Sequence, residues 1–370
     1  MEDCWEAVRI RVWSGDVHQD DEGGEYVLRD KLRVCREEFG VTDERTLLCM
    51  DVLGTLLEFQ GKHADAGALF RECLATRRVL LGLKHEDTLQ SMRSLADLLH
   101  AQGNLVEAVP LMREALDSAR ATLGSKHDRT LVYMSTLGGM LMTQGKYCEA
   151  EALHREALEM RLAAVGPQHP FTLTHINNLA SVLMYQRRFG EAEPLLRRAL
   201  EASRVTLGSL HPNTLSTMSN LATLLQEQGK LSEAEALLRE ALQATRTILG
   251  AQHPNTLTTM SNLATMLEAQ GKLGEAEQLY RGVLSSQRAT LGSQHSSTFI
   301  SMSNMGGLLE KQGKLREAEA LLNEALTGLL RVLGRAHPHT QGVCAALSRV
   351  LTAQGKLRDA REVRAQYGGR

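Results

Sequence analysis

The sequence predicts an all-α fold: a stack of about eight antiparallel helix pairs preceded by half a pair. Three observations predict it. The first is a period, since in rows of 42 the 370 residues align without a gap. Glycine recurs at 40, 82, 124, 166, 208, 250, 292 and 334. Three residues further on stand Asp43, then His85, His127, His169, His211, His253, His295 and His337. Rows 208–249 and 250–291 share 26 of 42 residues. The second observation is that a row carries two apolar stripes of helical spacing. The third is composition: 43% apolar but only 4% aromatic, with Leu and Ala as the bulk, which favours helix over strand.

Taken in order, residues 1–25 fit no row. They hold Trp5, Trp13, the alternating run Val8-Arg9-Ile10-Arg11-Val12 and the acidic run Asp20-Asp21-Glu22, so a strand-like or disordered appendage is expected. Residues 26–40 align with the second helix of a row and form a capping half-repeat. Residues 41–370 are then eight 42-residue repeats of one solenoid. In the row at Gly208, the first helix covers Asn213–Gln228, with Met218, Leu221, Ala222 and Leu225 on one face. Gly229 ends it in the left-handed conformation. Ser232-Glu233-Ala234-Glu235 has the form of a capping box and opens the second helix. Its face is Ala234, Leu237, Leu238, Ala241 and Leu242, and it ends at Leu249-Gly250. Pro254 then suits the first position of the next helix. Neither stripe can be buried by one pair, so pairs must stack. The last helix, Leu357–Gln366, puts Arg364 where Leu238 sits and is polar enough to cap the stack.

Several functions are disfavoured. Lys and Arg total 42 against 44 acidic residues, a net charge of −2 that suggests neither a nucleic-acid nor a membrane partner. No apolar run reaches the roughly 18 residues of a membrane span, and no secretory apolar segment opens the chain. The six cysteines are scattered without a CxxC pair, as expected of reduced thiols in a cytoplasmic protein.

The histidine column invites a metal reading. Zinc ligands lie about 2.0–2.3 Å from one ion. One His per stacked pair leaves neighbours too far apart to share an ion, so the expected role is ordering of the turn before a helix. Gln-Gly-Lys, ending at Lys62, Lys146, Lys230, Lys272, Lys314 and Lys356, lacks the spacing of a phosphate loop. It reads as a helix end with a cation at the negative pole of the dipole. GxSxG, GxGxxG and HExxH are absent from the sequence. No catalytic residue, metal ligand or cofactor is therefore predicted.

Met218, Asn220, Leu221, Ala222 and Leu225 in one helix, with Ala234, Leu238 and Ala241 in the next, resemble the tetratricopeptide repeat family. The 42-residue period, the Leu-Gly-x-x-His-Pro-x-Thr-Leu join and the Asn-Leu-Ala core most resemble its kinesin light chain subgroup. The resemblance covers residues 26–370 and implies a right-handed superhelix whose first helices line a concave groove. In the row at Gly208 it places Ser216, Ser219, Asn220, Thr223, Gln226 and Glu227 there. Candidate peptide-binding residues are accordingly Asn177, Asn178, Asn220, Asn262 and Asn304, with Ser219, Thr223, Ser261, Thr265, Glu227, Glu268 and Glu310. An amide donates and accepts, so an Asn ladder suits an extended backbone; it equally suits bonding between neighbouring repeats. The groove positions of all eight rows hold three basic residues (Arg93, Lys311, Arg349) and six acidic ones (Asp51, Glu58, Asp97, Glu227, Glu268, Glu310). Kinesin light chains, by family resemblance, receive acidic cargo peptides in a basic groove, a charge this groove does not share.

The expected function is a non-enzymatic cytoplasmic scaffold or adaptor that binds peptide segments of other proteins, in a cytoskeletal motor or signalling complex. Two other readings stay open: a regulatory or sensor arm of a larger multidomain protein, and a self-associating structural array.

Overall fold

A computed structural model of the chain describes residues 22–335 and 337–367. Packing divides it into two compact units, Met1–Tyr133 with Leu330–Pro338 and Met134–Leu329 with His339–Arg370. The first unit contains α1 (Glu22–Phe39), α2 (Glu44–Phe59), α3 (His63–Leu80), α4 (Glu86–Ala101) and α5 (Leu105–Thr122). A boundary falls within α6 (Asp128–Thr143). The second unit contains α7 (Tyr147–Val165), α8 (Pro170–Tyr185), α9 (Phe189–Thr206), α10 (Pro212–Glu227), α11 (Leu231–Leu249), α12 (Pro254–Ala269), α13 (Leu273–Thr290) and α14 (Ser296–Lys311). Next come α15 (Leu315–Val332), within which the other boundary falls, α16 (Pro338–Ala353) and α17 (Leu357–Tyr367). The expected all-α helix-pair fold is the one observed. Of the expected appendage, residues 1–21 lie outside the described residues, while 22–25 already belong to α1.

The turn between repeats builds itself from three column residues. Gly208, at φ 86°, ends one repeat, and the buried Thr214 hydroxyl donates to its carbonyl oxygen at 2.8 Å. His211 then caps α10: its Nδ1 accepts the backbone N–H of Asn213 at 3.2 Å, and Pro212 supplies the first helical residue. The same imidazole cap recurs at His85, His127, His169, His253 and His295, with Asp43 using its carboxylate in the first row. This is the turn-ordering role expected of the column.

Gly229 follows α10 in the left-handed conformation, φ 76°, as predicted. The capping box does not form. Helix α11 begins at Leu231, so Ser232 lies inside its first turn, and Lys230 caps without a side-chain bond. The backbone accounts for this: the Lys230 N–H donates to Leu225 O at 2.8 Å, closing the turn and leading straight into the helix.

Both stripes are buried. Met218, Leu221, Ala222 and Leu225 pack with Ala234, Leu238, Ala241 and Leu242, while Leu237 is only half-buried. Within the second unit α10 packs on α9 and α11 and also on the first helices of both neighbouring repeats, α8 and α12. Where the first helix has Gly in place of Ala222, the second helix fills the hole. A Cβ on Gly54 would meet the Phe70 ring at 2.6 Å, one on Gly138 the His154 Nε2 at 2.4 Å, and one on Gly306 the Leu322 Cγ at 2.7 Å. Of α17 only Ala360 is buried.

A ladder of charges joins successive second helices. Arg188 reaches Glu151, Lys230 reaches Glu193, Lys272 reaches Glu235, Lys314 reaches Glu277 and Lys356 reaches Glu319, all at 2.7–3.0 Å. The lysine of Gln-Gly-Lys at 230, 272, 314 and 356 is thus an inter-repeat clasp. No described helix is long and apolar enough to cross a membrane.

Candidate peptide-binding site

The proposed ladder sits in the second unit, where α8, α10, α12 and α14 carry Asn178, Asn220, Asn262 and Asn304 at one column. The structure resolves part of the choice left by the sequence. Asn177 is buried, and its Nδ2 donates to Thr217 Oγ1 of the next repeat at 2.7 Å. Asn220 Nδ2 reaches Asn177 Oδ1 at 3.5 Å, and Asn262 Nδ2 donates to Ser219 Oγ at 3.1 Å. Each such bond ties one repeat to its predecessor or successor. An amide has two donors and two acceptor lone pairs, so Asn220 and Asn262 keep capacity for a further partner. They are half-buried, as is Asn178, and Asn304 is exposed.

The hydroxyls are satisfied along their own helices. Thr223 donates to Ser219 O at 3.0 Å, Ser261 to Leu257 O at 3.0 Å and Thr265 to Ser261 O at 3.1 Å. Thr265 also lies 2.8 Å from the Tyr280 hydroxyl, which burial pushes up to about 12. The oxygens retain free lone pairs, so this surface is richer in acceptors than in donors.

Five of the six acidic groove residues counted from the sequence have a basic partner, three of them in another row. Glu227 faces Arg187 at 3.5 Å, Glu268 faces Lys311 at 2.8 Å and Glu310 faces Arg349 at 3.0 Å. In the first unit Asp51 pairs with buried Arg77 at 2.6 Å, and Asp97 with Arg93 at 3.3 Å. Glu58 differs. The position 39 residues after Glu310 is Arg349, whereas 39 residues after Glu58 stands Asp97. Burial, with the Asp97 charge second, pushes the Glu58 carboxyl up to about 7.

A second polar cluster lies beneath this surface. His175 Nδ1 is 3.1 Å from the Ser135 hydroxyl, while His154 is buried with neither ring nitrogen hydrogen-bonded. Burial pushes both histidines down to about 4. Among the described residues, no three His, Cys, Asp or Glu side chains converge on one metal position. A hollow of about 420 Å³ between α7, α8 and α9 is lined by Leu158, Leu162, Leu173, Ile176, Leu195 and Val205. Its polar lining is Gln168, Arg198 and Glu201.

Sequence reasoning missed Arg187, the Glu227 partner, because its row position is otherwise glycine. It also missed the pairing of acids with bases across rows, although the columns were visible.

No curated protein matches the sequence. Among solved structures, similarity extends to a kinesin light chain candidate from Podosopora anserina with nearly identical TPR-like repeats, at 28% identity. That match covers 56% of this chain and 98% of the other, with a TM-score of 0.47. BtubC (BKLC) from P. vanneervenii is 20% identical over 62% of this chain and 92% of its own, with a TM-score of 0.50. The apo quorum sensor NprR from B. thuringiensis shares the fold at 13% identity, covering 99% and 98% of the two chains with a TM-score of 0.56. The sequence profile of the tetratricopeptide repeat matches in six overlapping stretches, 47–121, 87–163, 129–183, 171–247, 226–289 and 255–331. With the 42-residue ruler and the paired helices, these six profile matches show that the chain belongs to the tetratricopeptide repeat family.

Proposed function

We propose that the chain is a non-catalytic binding scaffold whose first helices in the second unit receive an extended peptide segment of another protein. The observation that carries this reading is the half-satisfied Asn row. Asn220 and Asn262 each spend one N–H between repeats and keep acceptor and donor capacity beside Asn178 and Asn304. Such amides bond backbone groups whatever the side chains are, which supports a sequence-tolerant grip. The ion-paired acids support it too, since Glu227, Glu268 and Glu310 present little net charge to discriminate ligands. The fold shared with the quorum sensor NprR is consistent with a ligand-receiving array.

The test is an array of synthetic peptides of varied sequence probed with the whole chain and with the quadruple variant Asn178→Ala, Asn220→Ala, Asn262→Ala, Asn304→Ala. Each lost bond weakens binding by about 0.5–1.5 kcal/mol, so the variant should release peptides that the parent retains, with a native helical spectrum. Equal retention by a folded variant would refute the reading.

A further inference from the structure

Cys35 on α1 and Cys49 on α2 bring their Sγ atoms to 3.8 Å, and each residue is only 1% exposed. We propose that these two thiols are a modification site: they form a reversible intramolecular disulfide, by exchange with a small disulfide of the glutathione class, that staples α1 onto α2.

A disulfide needs its sulfurs at about 2.05 Å, so closure asks each to move by under about 1 Å. The closed loop spans 14 positions of sequence and the turn between the two helices. Access comes from α1. It buries Leu28, Leu32 and Cys35, and exposed ion pairs hold it to the following pair: Arg29 to Asp65, Arg36 to Glu72 and Lys62 to Glu25. Such pairs contribute little each, so they present only a small barrier to local opening of α1. One opening exposes both thiols together. Cys73, the next sulfur inward, is excluded. It is fully buried, contacts Leu47 O and Ser91 Oγ, and burial with the Asp51 charge pushes its thiol up to about 12.

The chemistry balances. One cysteine loses its proton to water and attacks a sulfur of the small disulfide, whose S–S bond breaks to release one small thiolate. The second cysteine, likewise deprotonated, attacks the protein sulfur of the mixed disulfide and expels the other small thiolate. Two protein thiols are oxidised, one small disulfide is reduced to two thiols, and these take up the two protons. The product fixes α1 over its pair; a dithiol reverses it.

The experiment uses the whole chain, reduced and then equilibrated with oxidised glutathione, quenched with N-ethylmaleimide and digested with trypsin without reductant. Cleavage after Arg33, Arg36, Arg45 and Lys62 separates the two cysteines unless they are joined. The expected result is a peptide pair 34–36 with 46–62, with an upward shift in Tm that dithiothreitol reverses. Exposed Cys148, carrying glutathione or maleimide, is the internal reference. Cys35→Ala should lose both the pair and the shift; should that variant fail to fold, the unmutated chain with and without dithiothreitol still decides. Recovery of Cys35 and Cys49 as separate adducts, or joined only to other cysteines, overturns the proposal. A joined pair without a rise in Tm overturns the staple.

Discussion

Arg187 closes its helix in the left-handed conformation, φ 60°, that Gly229 adopts one repeat later at φ 76°. It is the only non-glycine residue with positive φ among the described residues. A side chain there costs roughly 1–2 kcal/mol against the steric preference of L-residues. The compensation is small: an ion pair with Glu227 at 3.5 Å and a guanidinium 5.3 Å from the Phe189 ring, both at the surface. Arg187→Gly is expected to raise Tm by circular dichroism, a net gain of about 0.5–1 kcal/mol after the entropy cost of glycine. A lower Tm would show that the surface contacts outweigh the strain.

The Gly138 hole and His154 are matched in size, so they should couple. Gly138→Ala puts a methyl 2.4 Å from His154 Nε2 and is expected to cost about 1–3 kcal/mol. At the equivalent positions one repeat on, the chain uses Ala180 with Leu196. The double variant Gly138→Ala, His154→Leu should therefore recover the loss and exceed the parent, because it also removes two unbonded buried nitrogens. Additive losses in urea denaturation would break this account.

Two buried histidines and a half-buried glutamate give stability opposite pH slopes. His154 and His175 sit near 4, below their ordinary 6.5, chiefly through burial. Between those values the unfolded chain binds more protons, so stability is whole above pH 6.5 and falls as pH drops towards 4. The slope is at most about 1.4 kcal/mol per pH unit for each histidine. Glu58 is raised from 4.5 to about 7, so there the folded chain binds more protons and stability falls as pH rises through that window. Urea midpoints between pH 4 and 8 should show His154→Leu flattening the acid side and Glu58→Gln the neutral side. An unaltered profile in both would contradict the assignment.

The Asn column should split by role. Asn177 is buried and bonded to Thr217, so Asn177→Ala leaves a buried hydroxyl short of a donor and should cost roughly 1–2 kcal/mol. Asn304 is exposed, and Asn304→Ala should leave the unfolding free energy within about 0.5 kcal/mol of the parent. Equal losses at both would make the whole column structural.

The sequence carried the helices, their glycine ends and the histidine caps, because each is a local effect within one row and repeats at the same column. Ser232 misled because a capping box is read from residue types alone, whereas the start of α11 is decided by a backbone bond from Lys230 to Leu225. The partners of the acidic candidate residues were hidden too. They stand 39–43 positions apart, such as Glu310 with Arg349 and Glu268 with Lys311, and meet only once repeats are stacked. Arg187 hid for a different reason: nothing in an arginine announces the left-handed backbone its column requires.

The clasp from Lys230 to Glu193, repeated as Lys272 to Glu235, Lys314 to Glu277 and Lys356 to Glu319, has a genealogical consequence. Excise residues 208–249 and Lys272 arrives at the register Lys230 vacated, with Glu193 still waiting for it. A crossover between misaligned rows would therefore yield a daughter chain that keeps this clasp, although Gly282 would stand where Glu240 now pairs with Arg204. Rows 208–249 and 250–291, alike at 26 of 42 positions, are what such copying leaves behind. The length of this protein is thus a heritable variable that selection can adjust by whole repeats while the lysine clasp is kept.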